Sequence, residues 1–130
     1  MLVQAAVLDD FTSRFLQLAR TYFCGDPLDE HTRVGTVIDE SAAQFLESAV
    51  RDAAAGGAKV LLGGNRNGAL MPPTIMAQVP RTALVATQEC FGPLAPIFSV
   101  LDLDDAIDLA NATAYGLSSA IVTRSLESAI

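Results

Sequence analysis

The sequence predicts an α/β fold on a largely parallel sheet. Three observations carry that expectation. Strand-like and helix-like segments alternate along the chain. Apolar residues (AVILMFWYC) make up 51% of it against 18% charged, a balance suited to a packed core and opposed to disorder. At 130 residues the chain has room for one domain, and folding at this size removes roughly two-thirds of the unfolded surface from water.

Residues 2–8 form a short apolar stretch suited to a buried strand. Asp9 or Asp10 can then cap a helix whose apolar stripe is Phe11, Phe15, Leu18, Ala19 and Tyr22. Cys24-Gly25-Asp26-Pro27 stops it, because glycine supports a left-handed turn and proline cannot continue the ladder. A polar loop runs to about Glu40. Ser41 and Gln44 then match a capping box, followed by a helix lined by Ala42, Phe45, Leu46, Ala49 and Ala53 and ended by Gly56-Gly57. Residues 58–62 read as a strand stopped by Gly63-Gly64, and a loop over 65–68 leads to a further extended stretch at 72–76. Two more strands are expected at 83–87 and 97–100, separated by the Gly92-Pro93 turn signal. Asp102 can cap a helix bearing Leu103, Ala106, Ile107 and Ala110; residues 117–123 read as a last strand, and Ser125 as the N-cap of one more helix.

Charge and composition exclude several functions. A net charge of −7 with only 8 Lys and Arg leaves nothing to neutralise a phosphate backbone or an anionic membrane, so no nucleic-acid and no membrane partner is expected. No apolar run reaches the roughly 18 residues needed to span a bilayer. The N-terminus lacks the basic start of a signal peptide, which makes a cytoplasmic location the default. Cys24 and Cys90 are expected to be reduced. One histidine, His31, without CxxC or HxxxH spacing, makes no metal site. There is no internal repeat, charge block or flexible linker to mark a second domain. A strand starting at the initiator Met, and a helix starting at Ser125 in a chain that stops at Ile130, read as elements cut at both ends, since a helix needs about 12 residues or tertiary support.

The stretch Gln88-Glu89-Cys90-Phe91-Gly92-Pro93 resembles the Glu-Glu-x-Phe-Gly-Pro signature of aldehyde dehydrogenases. Further matches follow the family order: Gly25-Asp26-Pro27, the Gly57 to Gly64 stretch GAKVLLGG, Pro73-Thr74, and Asn111 with Tyr115-Gly116-Leu117. The resemblance covers essentially all 130 residues. It implies a three-layer α/β arrangement in which residues 1–130 form one partial catalytic domain, the later part, with no NAD-binding domain of their own. It also implies an NAD- or NADP-dependent enzyme that oxidises a small aldehyde to an acid through attack of a cysteine thiolate, forming a homo-oligomer when complete.

In that family the glutamate matching Glu89 accepts hydrogen bonds from the nicotinamide ribose, and the phenylalanine matching Phe91 packs near the nicotinamide ring. The residue types suit those roles. A carboxylate offers several acceptor sites to paired hydroxyls, and a flat apolar ring restrains a flat heterocycle without competing for its reactive carbon. The nucleophile is expected shortly before Met1, with the general-base glutamate and the dinucleotide-binding domain further upstream and the segment exchanged between subunits after Ile130. The 130 residues therefore contain no catalytic residue, and cofactor binding by the isolated chain is not expected. Two departures stand out: Gln88 replaces the usual first glutamate, and Cys90 occupies a position more often aliphatic or small.

Blander readings compete at each residue. Cys90 beside Glu89 and Phe91 lacks the cationic surroundings of an activated thiol and reads as a packed side chain, and Cys24 as a small semi-buried one. Taken alone, Glu89 is a solvated loop carboxylate and Phe91 a core aromatic. His31 reads as exposed in a polar loop. Gly63-Gly64 with Asn65 to Gly68 lacks the Gly-Lys-Ser/Thr ending of a phosphate loop and reads as a surface turn. Asp102, Asp104 and Asp105 suit a helix start better than a cation site. Two further readings of the chain are a stand-alone, non-catalytic module that binds another protein through an exposed apolar patch, and a thiol enzyme built on Cys90.

Overall fold

The computed structural model describes residues 1–125. Strand β1 (Leu2–Gln4) passes through one 3-10 turn at Ala5–Val7 into helix α1 (Leu8–Ala19). Helix α2 (Glu40–Ala55) is followed by β2 (Lys59–Leu62), β3 (Thr74–Ala77), the one-turn helix α3 (Leu84–Thr87), β4 (Leu94–Pro96), β5 (Phe98–Val100) and α4 (Leu103–Ala110).

Strand β2 pairs antiparallel with β3, β3 parallel with β4, and β5 parallel with β1. Ile97 stands between β4 and β5, and its N–H donates to Met76 O at 2.8 Å. Residues 94–100 are therefore one extended run whose first half lies on β3 and whose second half lies on β1. Among the described residues the strands form two sheets, β2-β3-β4 and β5-β1, that follow one another along this run, and two of the three strand pairings are parallel, as expected.

Alternation along the strands divides the core between two faces. Ile75, Val3 and Ile97 point to one side, where Leu8, Phe11, Phe15, Leu16 and Ala19 of α1 cover them. Met76 and Phe98 point to the other, against Leu46, Ala49, Val50 and Ala53 of α2, with Val85 of α3 and Leu109 of α4 joining them. Helix, sheet and helix thus form the three expected layers. Among the described residues no helix is long and apolar enough to cross a membrane.

Several local expectations give way to tertiary context. The first strand stops at Gln4 because the chain turns at once into α1. Asp9 and Asp10 lie in the first turn of α1, where the helix dipole favours them, while the cap position is Val7 with no side-chain bond. The inward stripe of α1 includes Leu8 and Leu16, whereas Leu18 and Tyr22 are exposed and the helix ends before Cys24. The N-cap of α2 is Asp39: its carboxylate accepts from Ala42 N at 2.7 Å and from the Ser41 hydroxyl at 2.8 Å, so the Ser41 and Gln44 box does not form. Ala43 and Val50 join the buried face of α2, and Phe45 is exposed.

Residues 83–87, expected as a strand, instead contain α3, because Asp52 of α2 accepts from Leu84 N at 3.0 Å and starts a helical turn there. Strand β4 is masked in the sequence by Pro93 and Pro96, although Pro96 needs only its carbonyl, which accepts from the Met1 amino group at 2.7 Å. Residues 117–123, also expected as a strand, adopt no regular structure and are exposed. β-favouring composition makes no strand without a neighbour to pair with. Asp102 caps α4 as expected, accepting from Asp105 N at 2.9 Å. The helix expected from Ser125 lies outside the described residues.

Two carboxyls at helix starts are held below the ordinary range. For Asp39 the main cause is the Ala42 N–H, then the Ser41 hydroxyl; for Asp105 it is the Leu101 N–H, then the Arg81 side chain. A carboxyl with a depressed folded-state pKa contributes stability that is present above its unfolded value, about 3.9, and is lost as pH falls through the folded value. Urea midpoints are expected to hold steady above about pH 5 and to fall on further acidification. Asp39→Asn should flatten part of that fall; an unchanged acid limb in this variant would refute the assignment.

Candidate functional site

Glu89 and Phe91 lie on the connection between α3 and β4. Their side chains and that of Cys90 go separate ways. Cys90 turns inward and packs on the α2 side of the core, while Glu89 and Phe91 are exposed. Phe91 is 85% exposed and holds a left-handed backbone, φ 44°, which a non-glycine residue adopts only when its surroundings impose it. The Glu89 carboxylate has no protein hydrogen-bond donor among the described residues. A carboxylate and a flat apolar face thus stand exposed two residues apart, with no hydrogen-bond donor to the carboxylate among the described residues.

The ends of this connection are fixed. Ahead of it, Asp52 accepts from the N–H of Leu84, the first residue of α3. At the end of the connection Gly92 presses on Leu46 so closely that an added Cβ would overlap Leu46 Cδ1 and lie 2.9 Å from Cδ2. Leu46 is fully buried and has little room to yield. Beyond Gly92, Thr74 N donates to Pro93 O at 2.9 Å and joins the turn to β3. Leu46 and Asp52 carry no sequence signal for this role, because a buried leucine and an exposed aspartate on a helix are ordinary and their partners lie far along the chain.

Burial pushes both Cys90 and Cys24 up from the usual thiol value, so neither is poised as a thiolate. Cys90 Sγ donates to Gln88 O at 3.5 Å. His31 is exposed, with Nδ1 3.1 Å from an Asp29 carboxylate oxygen. The 63–68 segment forms a surface turn, with Asn67 and Leu70 exchanging backbone hydrogen bonds at 2.9 Å. Among the described residues no group of His, Cys, Asp and Glu is arranged to hold a metal ion. A cleft of about 650 Å³ between α1 and the sheet, lined by Leu8, Leu16, Lys59 and Phe98 among others, contains neither Glu89 nor Phe91.

The pattern of the aldehyde dehydrogenase family matches residues 1–130. Over 126 residues the chain is 36% identical to succinate-semialdehyde dehydrogenase (NADP+) 1 of Mycobacterium tuberculosis, a match covering 95% of this chain and 28% of that protein. It is 38% identical over 130 residues to lactaldehyde dehydrogenase of Methanocaldococcus jannaschii, covering 100% of this chain and 28% of that one. Among solved structures, aldehyde dehydrogenase 21 of Physcomitrella patens, in complex with the reaction product succinate, superposes with a TM-score of 0.93 at 36% identity, covering 98% of this chain and 26% of that one. Glyceraldehyde-3-phosphate dehydrogenase of Methanocaldococcus jannaschii complexed with NADP gives 0.92 at 40% identity, covering 97% and 27%. The chain thus spans little more than a quarter of the length of these relatives, and over that span it belongs to the aldehyde dehydrogenase family.

Proposed function

We propose that residues 1–130 form part of the catalytic domain of an NAD- or NADP-dependent aldehyde dehydrogenase, and that Glu89 and Phe91 hold the nicotinamide end of the cofactor. The observation that carries this reading is the exposed pair itself: a carboxylate without a protein donor among the described residues, two positions from an exposed ring on a left-handed backbone. The residues present suit the group. Glu89 can accept from two ribose hydroxyls, and Phe91 can restrain the ring by apolar contact. The cofactor, when bound, supplies the hydride acceptor. These residues bind and orient; the thiol nucleophile and the base for hydrolysis come from polypeptide outside them, since burial disfavours the thiolate at both Cys24 and Cys90.

One set of assays tests this. The 130-residue chain, given a panel of small aldehydes with NAD or NADP, is expected to yield no NADH or NADPH. The same residues within a complete family chain are expected to support turnover. There Glu89→Ala should raise the cofactor KM about tenfold or more, as loss of hydrogen bonds to a charged acceptor costs about 1.5–3 kcal/mol each. Cofactor reduction by the isolated chain would overturn the assignment of the nucleophile, and an unchanged KM in Glu89→Ala would overturn that of the site.

A further inference from the structure

We infer that helix α2 positions the Glu89 to Phe91 segment, with Leu46 acting as a positioning residue at Gly92 and Asp52 at Leu84, where the helical turn leading into the segment begins. This rests on the cofactor role proposed for Glu89 and Phe91. Asp52 and Leu46 lie six residues apart on α2, within two turns of each other. Asp52 Oδ2 accepts from Leu84 N at 3.0 Å, which fixes where α3 begins and hence where Gln88, its C-terminal cap, hands over to Glu89. Leu46 bears on Gly92 so tightly that only a hydrogen fits at that α-carbon. The next residue back is Phe91, whose left-handed backbone, φ 44°, is one a non-glycine residue keeps only where its surroundings impose it. Cys90, packed on the same core, pins the middle of the segment. Three inward contacts thus fix a segment whose other two side chains face outward, and two of those contacts come from one rigid helix.

Steric interlocking makes a specific prediction: a methyl group added at position 92 displaces the segment, and shortening Leu46 removes the obstruction. The chain contains no tryptophan, so Phe91→Trp installs a single fluorescent reporter. In that background Gly92→Ala is expected to shift the emission maximum of the reporter indole and change its acrylamide-quenching constant, and Leu46→Ala added to it to bring both back toward the reporter chain. The double variant should melt no lower than Leu46→Ala alone, because the added methyl group meets no obstruction once the Leu46 side chain is shortened. A purely structural role for Leu46 predicts the opposite, with both readouts worsening together.

Asp52 gives a second arm that leaves the core intact. Asp52→Ala should lower the fluorescence anisotropy of the reporter, and Asp52→Asn, which keeps an acceptor for Leu84 N, should preserve it. Unchanged reporter fluorescence in a folded Gly92→Ala chain, or no recovery on adding Leu46→Ala, overturns the Leu46 contact. Equal anisotropy for Asp52→Ala and Asp52→Asn overturns the Asp52 contact, and this arm decides alone if Gly92→Ala does not fold by circular dichroism. Every measurement is made without cofactor. Failure here is therefore separable from failure of the cofactor reading, which the Glu89→Ala KM reports.

Discussion

Gly63→Ala is expected to destabilise the chain by about 2–5 kcal/mol, combining about 1–2 for a left-handed alanine with about 1–3 for forced overpacking. Gly63 has φ 72°, and a Cβ there would collide with the Pro73 carbonyl oxygen and lie 2.6 Å from Thr74 Oγ1. The second contact matters most. Thr74 is fully buried; its hydroxyl accepts from Gly64 N at 3.0 Å and donates to Pro72 O at 2.9 Å. Pushing that hydroxyl aside leaves a buried N–H and a carbonyl without partners, a loss larger than the net worth of the bonds. Thr74 N also holds Pro93 O, so the displacement reaches the turn that carries Phe91.

Gly68→Ala is the matched control. Gly68 has φ 58° with nothing within 4 Å of where an added methyl group would lie, so only the backbone cost of about 1–2 kcal/mol applies. Urea unfolding of the two variants measures the difference. Equal losses would show that the Thr74 contact carries no weight, and the account of this turn would fail.

Where local signals dominate, the sequence reads correctly. The α2 helix and its Gly56-Gly57 end, β2 with its glycine stop, and α4 under the Asp102 cap each depend on residues within a few positions of one another. Where distant groups decide, it does not. Residues 83–87 become helical through Asp52, 32 positions before Leu84. Residues 94–96 become a strand because β3 lies beside them despite two prolines. The site divides in the same way. Glu89 and Phe91 are marked by the motif around them, whereas the contacts of Leu46 and Asp52 with that segment exist only after folding brings α2 beneath it.

Ile75→Ala is expected to cost about 2–5 kcal/mol, the range for deleting a large buried aliphatic side chain, and to loosen one face of the sheet ahead of the other. Ile75 is 1% exposed on the central strand β3 and faces Val3 and Ile97, the only other buried residues of that cluster among those described. Helix α1 has no buried residue of its own; it rests on this small group through partly buried Leu8, Phe11, Phe15, Leu16 and Ala19. The opposite face is larger, with α2 contributing four of its buried residues to it. Removing Ile75 therefore withdraws support from α1 while the contacts under α2 persist. Amide hydrogen exchange should show α1 losing protection first, with α2 amides still reporting global unfolding. Met76→Ala, one residue on and facing α2, should carry a similar total cost with that order abolished or reversed. If both variants loosened α1 and α2 to the same extent, the two faces would be a single cooperative core.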